Sequence, residues 1–287
     1  MEKLILQGIN GIIYGLIYAL IASGLTLIWG IMDFINLAHG ELYMIGAFLG
    51  WLFLSFILKG FWLSLIASVA IVTLIGLGLR KTVLMPILGK DPVYSILATY
   101  GVSLVFQQTA LAVFGPTCQS ISMPLSGKVF ILSKEYSVYR LLVVAMAFSV
   151  IGGVWLFMKK SKWGIWIRAV AQDKEMAPCL GIPVSSVYTI VFLLASAMAA
   201  IAGVIISPIF GIHSGMGNEV ILTAFIIVMI GWLGNYVGSV IAGILIGEVI
   251  AIGTIWLSPT QATAVCWIIL LLTLLVRPQG LFRRQFI

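Results

Sequence analysis

Charge is what this chain lacks most. Of 287 residues only 9% are Asp, Glu, Lys or Arg, against 62% that are hydrophobic, whereas soluble domains carry roughly 25% charged residues; a water-soluble fold is excluded. Histidines number two and cysteines three, and Cys118, Cys179 and Cys266 lie far apart with no CxxC spacing, so neither a zinc site nor a disulfide framework is indicated. No HExxH pattern, GxSxG elbow or pair of intramembrane aspartates occurs, which removes the common intramembrane hydrolases. A phosphate-binding loop is missing too: Gly89 and Lys90 have no glycine five residues upstream and are followed by Asp91. The chain cannot hydrolyse ATP by itself, and no cofactor of its own is expected. Apolar runs with period-two alternation are also absent, which excludes a transmembrane barrel.

What is present is apolar length. Windows fall at about 9–30, 41–58, 61–79, 93–114, 141–158, 187–206, 220–233, 236–256 and 262–276, and a membrane-spanning helix takes about 20 apolar residues. The expected fold is an all-α polytopic membrane protein of eight or nine transmembrane helices. Two windows, 220–233 and 262–276, fall under the usual minimum of about 17 residues and are expected to be tilted, broken or re-entrant. The first window runs too far for a cleaved leader and is expected to be a permanent span. With no repeat and no low-complexity linker, residues 1–287 read as one transmembrane domain.

The net charge of +7 would suggest nucleic acid in a soluble protein; here the basic residues sit in short loops and act as topology signals. Arg80, Lys81 and Lys90, then Lys159, Lys160, Lys162, Arg168 and Lys174, then Arg277, Arg283 and Arg284 mark three segments separated by even numbers of windows. All three can face the cytoplasm at once. The connections at 115–140, 207–219 and 257–261 hold only Lys128, Lys134 and Arg140 and face outside. Whether the N-terminus lies outside or inside depends on whether every early window spans, and the sequence leaves this open. Glycine pairs spaced GxxxG, such as Gly11 with Gly15 and Gly243 with Gly247, indicate close helix packing without specifying a dimer.

Polar residues at membrane depth are costly, about 2.5 to 3.5 kcal/mol for a charge at a helix centre on insertion scales, so each requires a reason. Asp33, Asn36, His39 and Glu41 cluster in IMDFINLAHGE at one break, Asn218 and Glu219 at a second, and Glu248 sits inside the window 236–256. They either line a solute path or hold broken helices in shape. Glu41 and Glu219 also suit ordinary helix starts, where a carboxylate meets the positive end of the helix dipole, and for His39 a structural hydrogen bond outranks proton relay or metal binding.

Residues 162–183, KWGIWIRAVAQDKEMAPCLGIP, mix both charge signs with good helix formers and stop at Gly181 and Pro183. A short amphipathic helix on the cytoplasmic face is expected, with Arg168, Asp173, Lys174 and Glu175 on its polar side and Val170, Ala171, Ala177 and Leu180 as apolar contacts. Its carboxylates suit docking into a protein groove better than lying in lipid headgroups.

Four stretches resemble one family: GLTLIWGIMDFINLAHGELYMIGAF (24–48), RAVAQDKEMAPCLGI (168–182), MIGWLGNYVGSVIAGILIGEV (229–249) and LLVRPQGLF (274–282). Together they look like the LivH-type permeases, the membrane subunits of ATP-binding-cassette (ABC) importers for branched-chain amino acids. Glu175, Ala177 and Gly181 fit the E-x-A-x-x-x-G pattern of importer coupling helices. The resemblance implies a bacterial inner-membrane permease of about eight spans. It would pair with a second, LivM-type permease, two cytoplasmic ATPases that use ATP, and a periplasmic solute-binding protein. It places Arg168, Asp173, Glu175, Ala177 and Gly181 in ATPase coupling, and Asn36, His39, Glu41, Asn218 and Glu248 along the path or its gates. Relatives importing urea or short amides share the pattern, so the solute stays open. A gradient-driven secondary transporter or channel is the other class considered; it would need no docking helix.

Overall fold

The computed structural model describes residues 2–121, 123–125, 127–131, 134–278 and 280–282, so Arg283 and Arg284 of the basic tail lie outside the described residues. The chain runs α1 (Glu2–Met32), α2 (His39–Leu52), α3 (Phe61–Leu79), α4 (Met85–Ile87), α5 (Pro92–Phe114), β1 (Lys128–Ile131), β2 (Lys134–Ser137), α6 (Val138–Lys160), α7 (Lys162–Gln172), α8 (Met176–Cys179), α9 (Val184–Ile206), α10 (Met216–Gly231), α11 (Tyr236–Gly253) and α12 (Pro259–Val276). π-helical turns at Phe53–Ile57 and Arg80–Leu84 extend α2 and join α3 to α4. Eight helices among the described residues are long and apolar enough to span a membrane, and α10 is a shorter apolar ninth.

This is the expected polytopic helical fold, with one revision. The window 262–276 belongs to an 18-residue helix, α12, because its first turn is polar: Ser258 and Gln261 form a capping box with Pro259 at the first helical position. Polar cap residues shorten an apolar window without shortening the helix. Only α10 is truly short.

Helices α1 and α9 form the centre, with 83% and 67% of their apolar windows buried, while α5 and α12 stand at the rim with 17% and 11%. Small residues make this packing possible. Gly15 of α1 meets the backbone of Gly247 and Ile244 on α11, and Ala19 meets Gly243. Gly46 of α2 lies against Ala200 of α9. Lipid offers no hydrophobic drive between helices, so close backbone approach through small residues supplies the contact. The GxxxG pairs therefore serve a seam within the chain.

The two ends of α1 settle its direction. Near its start, Asn10 accepts from the Tyr136 hydroxyl and from Arg140 Nη1 at 2.6 Å, and Gln7 donates to Thr254 at 3.2 Å. Just beyond its other end Asp33 pairs with Lys174. The N-terminus thus shares a face with the connections that the basic-residue pattern puts outside, and α1, α2 and α3 are each long and apolar enough to cross. Across the outer face, β1 pairs antiparallel with β2.

Two helices start inside the bundle. Asp33 adopts φ 49°, a left-handed conformation open to Asp at modest strain, and 33–38 folds back inward. His39 then begins α2 beside Gly24, about two turns before the end of α1. From the opposite face, 207–215 dips inward before α10. The first turns of α2 and α10 meet where Gly40 and Gly217 cross, too close to admit a side chain on either.

Candidate functional site

An outward-opening cavity of about 290 Å³ sits above that crossing. It is framed by α1, α2, the end of α9, the 207–215 segment and the start of α10, with Cys118 of the outer connection at its mouth. Its polar groups are the hydroxyls of Tyr14, Tyr18 and Tyr43, the His213 imidazole and the Glu219 carboxylate, the last two 3.4 Å apart. Its apolar wall includes Ile17, Ile206, Phe210 and Val220, and the Phe210 ring rests 5.2 Å from that of Tyr14. At about 30 Å³ of liquid per water the space equals roughly ten waters, the scale of a small solute. The residues expected along the path from the sequence did not include these tyrosines, Phe210 or His213.

Below the cavity lies a buried polar cluster. Asn36, His39 and Glu41 are 2%, 0% and 0% exposed. Ser103 of α5 donates to Glu41 Oε1 at 2.9 Å, whereas Glu41 Oε2, both ring nitrogens of His39 and Asn36 Nδ2 have no partner among the described residues. Thr99 of α5 braces the break by accepting from the Leu37 amide at 3.2 Å. Buried polar groups of native proteins are normally paired, so four open atoms in one cluster beneath the cavity depart from that rule.

The other two residues stand apart. Asn218 is exposed and does not line the cavity. Glu248 lies against Gly8 and Gly11 at the α1–α11 seam, about a turn and a half from the outer end of α11. It does not meet the polar cluster. Gln107 and Gln108, which suit interhelical hydrogen bonds in sequence, make none among the described residues.

On the cytoplasmic face, 162–183 forms two helices where one is expected. Asp173 takes extended dihedrals and its Oδ1 accepts from the amides of Glu175 and Met176, both at 2.9 Å. Asp competes for backbone amides in this way and breaks a helix to cap the next. Arg168 turns inward to the Met158 carbonyl. Ile167, Val170, Ala171 and Ala177 are buried, while Glu175, Met176 and Leu180 are exposed. Gly181 takes φ +76° and turns the chain into α9.

The family model for the permease component of the branched-chain amino acid transport system matches residues 8–276. The chain belongs to this permease family. It is 28% identical to the high-affinity branched-chain amino acid transport system permease protein LivH of Salmonella typhimurium, with 97% of this chain and 95% of the relative aligned. BraD of Pseudomonas aeruginosa is also 28% identical, and LivH of Escherichia coli K12 is 27% identical, each over 97% of this chain and 95% of the relative. No solved structure matches. The chain is accordingly a multi-pass membrane transport permease, a component of a larger system and not an enzyme.

Proposed function

We propose that this chain is one of two permeases in an ATP-driven importer of the bacterial inner membrane, passing branched-chain amino acids inward by alternating access. Two cytoplasmic ATPases supply the free energy, and a periplasmic binding protein delivers the solute to the outer face. The match to the permease family over 8–276 carries the reading. The α7–α8 segment supports it: Met176 and Leu180 are 54% and 72% exposed beside Glu175 on a short cytoplasmic helix, a shape that fits a protein groove. Arg168, Asp173, Ala177 and Gly181 position that knob and do not themselves form it. Leu180→Asp and Glu175→Lys are expected to remove the ATPases from affinity-purified complex while membrane levels stay normal. ATPases still bound in both variants would end the docking assignment.

The same segment is tied to the break at 33–38 through Lys174 and Asp33. An exposed ion pair contributes only about 0 to 1 kcal/mol, so its removal acts on coupling more than on stability. Asp33→Lys is expected to lower solute moved per ATP hydrolysed by roughly two- to fivefold, the range of about 0.4 to 1 kcal/mol. Adding Lys174→Asp is expected to restore it. A double variant as uncoupled as the single one would remove the link.

A further inference from the structure

We propose that the cavity above the Gly40–Gly217 crossing holds the solute between delivery and release, and that it is built for a zwitterion bearing a small aliphatic side chain. This rests on the importer reading. Four observations carry it. The cavity has the volume of one small solute, about 290 Å³. Its rim holds a carboxylate, Glu219, 3.4 Å from the His213 ring, and no Lys or Arg among the described residues lines it, so a solute ammonium finds an acceptor there. Three tyrosine hydroxyls converge there without a hydrogen-bond partner among the described residues. Elsewhere in the chain, Tyr136, Tyr139 and Tyr236 each donate to a protein oxygen. Finally, Ile17, Ile206 and Val220 give one wall without polar atoms.

A tyrosine hydroxyl in a protein interior ordinarily finds a partner. Three that do not, facing one space, are donors kept for something that enters it. An α-amino acid satisfies every group: its ammonium meets Glu219, its carboxylate accepts from the tyrosine hydroxyls, and its alkyl chain lies on the aliphatic wall. An uncharged urea or amide brings no cation to Glu219, and a lipid chain offers a partner to neither Glu219 nor the hydroxyls.

The test uses the assembled transporter in proteoliposomes with L-leucine. Glu219→Gln keeps size and hydrogen bonding but removes the charge, and is expected to lower ATP-driven leucine uptake at least tenfold, with Glu219→Asp recovering part of it. Tyr18→Phe is expected to lower uptake severalfold. Cys118, exposed at the cavity mouth, gives a second readout independent of ATP. Leucine should slow its modification by a membrane-impermeant maleimide, followed by mass spectrometry of the Cys118 peptide, and should fail to do so in Glu219→Gln. Uptake within twofold of wild type in both Glu219→Gln and Tyr18→Phe, with Cys118 unprotected, overturns the site. Protection of Cys118 without ATP-driven uptake in the wild-type complex sustains the site and overturns the importer reading instead.

Discussion

Valine at Gly217 is expected to reduce uptake about a hundredfold, a difference of roughly 2.7 kcal/mol, while the chain still reaches the membrane. A Cβ at Gly217 would lie 2.6 Å from Glu41 Oε2 and 2.8 Å from the Gly40 carbonyl. On the other side, a Cβ at Gly40 would strike the Gly217 carbonyl and lie 2.8 Å from Ile221 Cβ. Backbone cannot rotate aside as a side chain can, and overpacking typically costs about 1 to 3 kcal/mol. The strain is relieved by parting the first turns of α2 and α10 and by displacing the Glu41 carboxylate that Ser103 holds at 2.9 Å. The crossing is the floor of the cavity, so parting it leaves the solute with no closed side. Uptake per inserted molecule, compared across glycine, alanine and valine, should fall in that order. Wild-type uptake with valine would show that the crossing plays no part in transport.

Valine at Gly247 is expected to prevent stable assembly altogether. Its Cβ would meet the Gly15 backbone and lie 2.7 Å from the Gly11 carbonyl. The whole antiparallel seam from Gly11 opposite Glu248 to Gly30 opposite Gly234 rests on such approaches, and α1 is the helix the rest is built around. Gly152 and Gly153 of α6 are the controls: nothing lies within 4 Å of a Cβ at either. Alanine there should be neutral or gain about 0.5 to 1 kcal/mol from the lower helix propensity of glycine. Thermal aggregation of detergent-solubilised protein separates the two classes. Equal midpoints for Gly247→Val and Gly153→Ala would refute the seam.

The sequence displays the helices because twenty apolar residues in a row have few other fates, and it displays both breaks because Asp33, Asn36, His39 and Glu41 at the first, and Asn218 and Glu219 at the second, are too polar to lie in lipid. The cavity is less legible. Tyr14, Tyr18 and Tyr43 stand inside apolar windows, where tyrosine also serves as an interfacial anchor, and only the fold shows three from two helices facing one space. Glu219 suits a helix start in sequence and is one, at α10; that the start lies beside a cavity is a tertiary fact. Glu248 is legible only in part for the converse reason: centred in an apolar window, it sits near one end of its helix. The break between α7 and α8 hinges on whether Asp173 bonds outward or to the next amides, which composition does not decide.

Helix α1 touches both working ends of the molecule. Tyr14 and Tyr18 line the outer cavity, and Thr26, Gly30 and Ile31 share a small pocket with Ile167, Arg168 and Ala171 of α7. Between them, Gly24 rests on Ala195 of α9. That geometry is a lever with a fulcrum at mid-depth. Tyr14 stands roughly 15 Å from Gly24 at 1.5 Å per residue, so a tilt of about 5° started at the cytoplasmic helix swings the tyrosine by roughly 1 Å. A displacement of that size breaks a hydrogen bond, and because Gly15 lies against Gly247 and Ile244 it carries the facing turn of α11 with it.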